Sequence, residues 1–192
     1  MTDQVALTPA ARRILDAASR LFYSRGLHAV GVDTIAAEAG VTKKTLYDRF
    51  GSKEALVVAY LRARDARWRE RLERALDAHP DPGEDRVLVL FDAVEGWMTQ
   101  EGGRGCAAIN ARAEIDDPDH PVAVEVARQK AWVRELLRAE CRAAGLARPD
   151  DLATAVALLY DGALAASGVG APPEPFRAAR RAARTLCAAH AA

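Results

Sequence analysis

Four cationic side chains and a run of hydroxyls crowd into the span from Thr42 to Lys53. Lys43, Lys44, Arg49 and Lys53 supply the charge, Thr42, Thr45 and Tyr47 supply hydroxyls, and Asp48 is the one acid. This mixture suits a polyanion. Lysine and arginine neutralise phosphate, and hydroxyls donate to phosphate oxygens. The flanking residues indicate how these groups are presented. Ile35, Ala36 and Ala39 define a short apolar-periodic helix, Gly40 permits a turn with positive φ, and Val41 packs behind it. Thr42 can cap a second helix by accepting from its free N–H groups. On that helix Leu46 and Phe50 lie four apart on the inner side, while Lys43, Lys44, Thr45, Tyr47 and Arg49 face outward. Thr34 to Lys53 therefore has the pattern of a helix-turn-helix directed at DNA.

The chain carries 27 basic and 27 acidic residues over 192 positions. Zero net charge does not exclude a DNA binder, because phosphate needs a local basic patch rather than a basic protein. The patch exists: residues 1–60 hold eight basic against six acidic residues, and Thr42–Lys53 holds four against one. Half the residues are apolar, which excludes a disordered chain. No uninterrupted apolar run is long enough to expect a membrane span. The N-terminal MTDQVALTPAARR lacks the basic start and apolar centre of a signal peptide. Cys106, Cys141 and Cys187 are odd in number and widely spaced, as expected for reduced thiols in a cytoplasmic protein.

The remaining pattern is helical throughout, with no period-two alternation. Thr8-Pro9 opens a first helix with the stripe Ile14, Leu15, Ala18, Leu21 and Phe22, and Gly26 closes it. Ser52 caps a long fourth helix, about 53–78. Further helices are expected over about 85–99, 106–115, 121–144, 152–169 and 176–188, separated by Gly, Pro and Asp clusters. The segment 152–169 is apolar nearly all round except for Asp161, Thr154 and Ser167, so it should be buried on most sides.

Ile14, Ala18, Phe22, Gly26, Val32, Ile35, Ala36, Ala39-Gly40-Val41, Thr45-Leu46-Tyr47, Phe50, Lys53 and Leu56 fall in one register. In it, the first 50 or so residues resemble the TetR/AcrR family of bacterial transcriptional regulators. The resemblance implies an all-α homodimer of about nine helices. Residues 1–52 would form a three-helix DNA-binding domain, and residues 53–192 a larger effector-binding and dimerisation domain. The third helix would enter the major groove. Lys43 and Lys44 would reach guanine edges or phosphate, Thr34, Thr45, Tyr47 and Lys53 would contact the backbone, and Thr42 and Arg49 would belong to the same DNA-binding surface. For Tyr47 the alternative is a half-buried core ring. Lys44 and Asp48 depart from common family residues; Asp48 could accept from cytosine or pair with Arg49 or Lys44.

The resemblance also implies a small-molecule site among the fourth to eighth helices. Its candidates here are Trp68, Phe91, Trp97, Met98, Asn110, Glu114, Trp132 and Tyr160. Asn110 and Glu114 are four apart and face one way, toward a ligand or toward solvent and nearby backbone. The last two helices would dimerise through Leu159, Ala163, Ala166, Ala179 and Leu186. The function implied is a ligand-responsive regulator, a repressor by family default, released from a pseudo-palindromic operator by an effector. The alternatives are a regulator without a ligand and one switched by Cys106, which would require an accessible thiolate. Neither a cofactor nor a metal is expected. HExxH, GxSxG, P-loop and dinucleotide fingerprints are absent, which argues against an enzyme. The acidic turn Asp116-Asp117-Pro118-Asp119-His120 reads as helix-end chemistry rather than a metal site.

Overall fold

The computed structural model describes residues 7–191. Residues 1–6, the start of the stretch read for a signal peptide, and residue 192 lie outside them. The described residues form nine helices and no strand, so the protein is all-α. They are α1 (Pro9–Arg25), α2 (Val32–Glu38), α3 (Lys43–Phe50), α4 (Lys53–Asp77), α5 (Glu84–Glu101), α6 (Ala107–Ala113), α7 (Pro121–Ala143), α8 (Pro149–Val169) and α9 (Pro175–Ala189). Two compact units emerge. The first holds residues up to Arg64 together with Asn110–Val126, and the second holds Asp65–Ile109 and Ala127–Ala192.

In the first unit, α1 starts where Thr8 Oγ1 accepts from Ala11 N–H, with Pro9 at the first helical position. Its stripe Ile14, Leu15, Ala18, Leu21 and Phe22 is buried, and α1 packs on α2 and α3. Phe22 meets the Tyr60 ring of α4 at 5.8 Å. Arg13 ties α1 to the helix-turn-helix by donating from Nε to Ala39 O at 3.2 Å. Glu125 is nearly fully buried and accepts from Arg62 Nε at 3.0 Å. The guanidinium of Arg64 stacks 4.1 Å over the Tyr23 ring.

The core of the second unit gathers Trp68, Leu72 and Leu76 of α4, most of α5, Val133, Leu137 and Cys141 of α7, and the inner faces of α8 and α9. Arg86 fastens this unit at one end. Its guanidinium donates to both Glu140 oxygens at 2.7 and 2.9 Å and to the carbonyls of Leu76 and His79. The α8 helix corrects the expectation of burial on most sides. Leu152, Ala153, Val156, Tyr160, Ala163 and Leu164 enter the core, but Leu158 is 69% exposed and Val169 82%. Leu158, Gly162, Ala165 and Val169 form an exposed row at helical spacing. By length and mean hydropathy (1.5) α8 could cross a bilayer. Its inner side instead packs on α9 around the second unit's core.

Candidate nucleic-acid interface and ligand-binding residues

The turn between α2 and α3 follows from three local contacts. Gly40 adopts φ +62°, a conformation that side chains disfavour. Val41 N–H then returns to Ala36 O at 3.0 Å. Thr42 Oγ1 accepts from Thr45 N–H at 3.0 Å and lies 2.9 Å from the Thr45 hydroxyl. Leu46 is completely buried and fixes the roll of α3. The opposite face is thereby presented to solvent. Lys43, Lys44, Tyr47, Asp48 and Arg49 are all exposed on it, with Thr34 and Thr42 exposed nearby and Thr45 and Lys53 half-buried. Tyr47 is 41% exposed, so its ring is not a core ring.

The two lysines are held by acids. Lys44 Nζ lies 2.8 Å from Asp48 Oδ2, and Lys43 Nζ lies 3.1 Å from Asp33 Oδ2. Such exposed pairs contribute about 0–1 kcal/mol and exchange readily for a phosphate or base edge. Of the partners weighed for Asp48, the structure selects Lys44. Asp33 was not singled out from the sequence, because partners on different helices share no helical spacing. Helix α4 begins with Ser52 Oγ accepting from Ala55 N–H at 3.0 Å, which places Lys53 at its first position.

Six of the ligand candidates lie in the second unit. Trp68, Phe91, Trp97, Met98 and Tyr160 are buried in its core, with Trp132 half-buried against it. Trp68 sits edge-on to Trp97 at 5.9 Å and stacks near Tyr160 at 6.2 Å. Its indole Nε1 is buried and has no acceptor. Arg69 lies 4.1 Å over the Trp132 ring and pairs with Asp65.

Asn110 and Glu114 belong instead to the first unit. Glu114 is committed to backbone there. Its Oε1 accepts from Leu27 N–H at 2.8 Å, and its Oε2 accepts from His28 N–H at 2.7 Å and lies 3.0 Å from His28 Nδ1. Burial works against its charge, but these donors outweigh it and hold the carboxyl below its usual range. Glu114 is therefore withdrawn from the ligand candidates. Its i,i+4 spacing from Asn110 could not reveal which backbone it meets.

The dimer candidates differ in burial within the chain. Ala163 and Ala179 are buried in the chain's own core, and Leu159 and Leu186 pack partly against it. Ala166 is half-buried. Small residues let helices approach closely, but here they serve the contact of α8 with α9 in the same chain. In the acidic turn, Asp117 Oδ1 accepts from Asp119 N–H and His120 Nδ1 from Val122 N–H, so both act at the start of α7. Sequence reading also missed Lys130. Its Nζ reaches Asp161 Oδ1 at 2.6 Å and Cys106 Sγ at 3.4 Å. The available signal was Asp161 itself, the one charge in the apolar stretch 152–169.

Residues 14–60 match the model of the bacterial regulatory proteins of the tetR family. An HTH-type transcriptional regulator of Mycobacterium tuberculosis (strain ATCC 25618 / H37Rv) is 35% identical over 67% of this chain and 72% of that protein. A TetR-family transcriptional regulator from Streptomyces coelicolor has the same fold, with a TM-score of 0.89 and 31% identity over 95% of this chain and 96% of that one. The chain belongs to the TetR family. It is a transcriptional regulator of that family and not an enzyme. The HTH-type transcriptional activator FasR of Mycolicibacterium smegmatis is 50% identical over 61% of this TetR-family chain and 52% of its own.

Proposed function

We propose that this TetR-family regulator binds a pseudo-palindromic operator as a homodimer and is released by a small-molecule effector. The observation that carries the reading is the exposed face of α3, where Lys43, Lys44, Tyr47 and Arg49 project from a helix anchored by Leu46 and capped by Thr42. Lys43 and Lys44 stand at its N-terminal end and read base edges, while Thr34, Thr42, Thr45, Tyr47, Arg49 and Lys53 grip phosphate. Residues 1–52 act as the DNA-binding domain, and residues 53–192 bind effector and dimerise, in the cytoplasm.

The exposed apolar row Leu158, Gly162, Ala165 and Val169 supports dimerisation through α8. Water contact with that row is unfavourable, and a second copy related by a two-fold axis removes it. The aromatic group of Trp68, Trp97 and Tyr160, together with the unpaired Trp68 Nε1, supports effector binding in the second unit. Effector binding favours a state whose two recognition helices no longer match successive major grooves. Helix α4 carries residues of both units and transmits the change.

Repression is the default output. The 50% identity to FasR, named an activator, favours activation as the second reading. Selection of bound duplexes from a randomised library by the purified protein tests the DNA reading. Two inverted half-sites should emerge, and footprinting should protect both. A library that stays unenriched after several rounds overturns it.

A further inference from the structure

Lys44 and Asp48 hold a particular place on α3. Leu46, the completely buried residue of the helix, stands midway between them in sequence. Two residues along an α-helix rotate a side chain by about 200°, so Lys44 and Asp48 flank the line directly opposite Leu46. They are the outermost pair on the face that α3 turns to solvent. The Lys44 side chain is accordingly 84% exposed, against 49% for Lys43. The other lysine–acid pair differs in kind. Asp33, 3.1 Å from Lys43, stands on α2, and the first helix of this motif crosses the DNA backbone rather than entering the groove. Lys44 and Asp48 belong to one helix and travel with it.

The pair is a donor and an acceptor 2.8 Å apart. The ammonium gives one of its N–H groups to Asp48 and keeps the others, and the carboxylate keeps lone pairs on both oxygens. One base pair presents the complementary couple in the major groove. At G·C the guanine O6 accepts and the cytosine N4 amino group donates. Their own hydrogen bond holds those two atoms about 2.9 Å apart, the spacing of the ion pair. Ammonium over O6 and carboxylate over N4 therefore satisfy the base pair without parting from each other. Guanine N7, beside O6, accepts a further N–H from the ammonium. The other three base pairs do not fit. C·G and A·T carry donor and acceptor in the opposite order, so the carboxylate meets a carbonyl oxygen and the ammonium an amino group. T·A has the right order, but thymine places a methyl group where guanine has N7.

We propose that Lys44 and Asp48 act as one unit that reads a single G·C base pair in each operator half-site, the lysine on guanine and the aspartate on cytosine. The assignment rests on the reading that α3 enters the major groove, and it adds which base pair must lie under the middle of the helix. It also accounts for an acid at the centre of a DNA-facing surface. Asp48 repels phosphate, and the discrimination it supplies offsets that loss. The lysine selects guanine, and the aspartate fixes the strand on which the guanine stands.

The test selects duplexes from a randomised library with the full-length protein and with K44D/D48K. The exchange keeps the net charge and an i,i+4 ion pair on α3 but reverses the order of donor and acceptor. Wild type should recover half-sites with a G·C pair at one fixed position. The exchanged protein should recover the same half-site with that pair turned to C·G. Replacing the G·C pair by C·G should weaken wild-type binding at least about tenfold. If the exchanged protein selects nothing, K44A and D48A decide. Both should weaken discrimination at one and the same base pair and keep the rest of the half-site. An enriched wild-type half-site that the exchange leaves unaltered overturns the proposal, and so does loss of discrimination at different base pairs in K44A and D48A. Either result leaves DNA binding by α3 standing. A wild-type library without enrichment overturns both.

Discussion

The carboxylate of Glu114 occupies the space that a side chain on Gly26 would need, with Oε1 2.9 Å from the position of a residue-26 Cβ. Gly26 has φ +91°, so any substitution there meets both backbone strain and the carboxylate. G26A should destabilise the protein by about 1–3 kcal/mol, read from denaturant midpoints. E114A leaves the N–H groups of Leu27 and His28 without their acceptor and should cost a similar amount, about 1–3 kcal/mol.

The same contact sets a pH dependence. The folded Glu114 carboxyl lies below its usual value of 4.5. Its stabilisation is therefore complete above that value and is lost as pH falls through the lower folded value. Wild type should lose more stability than E114A between about pH 6 and about pH 3.5. Parallel unfolding curves at both pH values for the two proteins would show that Glu114 contributes nothing.

Asp48 pairs with Lys44 on the exposed side of α3, the side proposed to meet DNA. D48N should tighten binding to unrelated DNA at low salt, because it removes a charge that repels phosphate. K53A should weaken all sequences alike and reduce the slope of log affinity against log salt by about one unit. A change in sequence preference on K53A would mean that Lys53 reads bases.

Arg86 joins α5 to Glu140 of α7 and to the end of α4. Removing it leaves a partly buried carboxylate and the His79 carbonyl without this donor, while the Leu76 carbonyl keeps the His79 N–H. R86A should lose about 3–5 kcal/mol, and R86K should recover little because lysine cannot donate in a fork. Thermal unfolding of the three proteins measures this.

The exposed row on α8 predicts a dimer. L158D places a charge at the start of that row, midway along α8, and should yield monomers by analytical ultracentrifugation, with helical content unchanged. A wild-type protein that sediments as a monomer at micromolar concentration would refute the assigned face.

The helices and the helix-turn-helix were legible because they depend on local rules. Thr8, Thr42 and Ser52 cap by hydrogen bonds three residues away, and Gly40 and Gly51 turn the chain with positive φ. What escaped depends on contacts between distant residues. Glu114 meets residues 27 and 28, and Lys130 meets 106 and 161. Composition misled for α8, where an apolar helix looks alike whether its outer row faces its own core or a second copy. The small residues Ala163 and Ala179 carried the same ambiguity.

The central claim is sequence-specific DNA binding by α3. Fluorescence anisotropy on the selected duplex and on a scrambled duplex of equal length, at about 0.15 M salt, tests it most directly. Wild type should bind the selected duplex at least about a thousandfold more tightly, and K44A should erode that ratio. Equal affinities for both duplexes, removed together by salt, would contradict it.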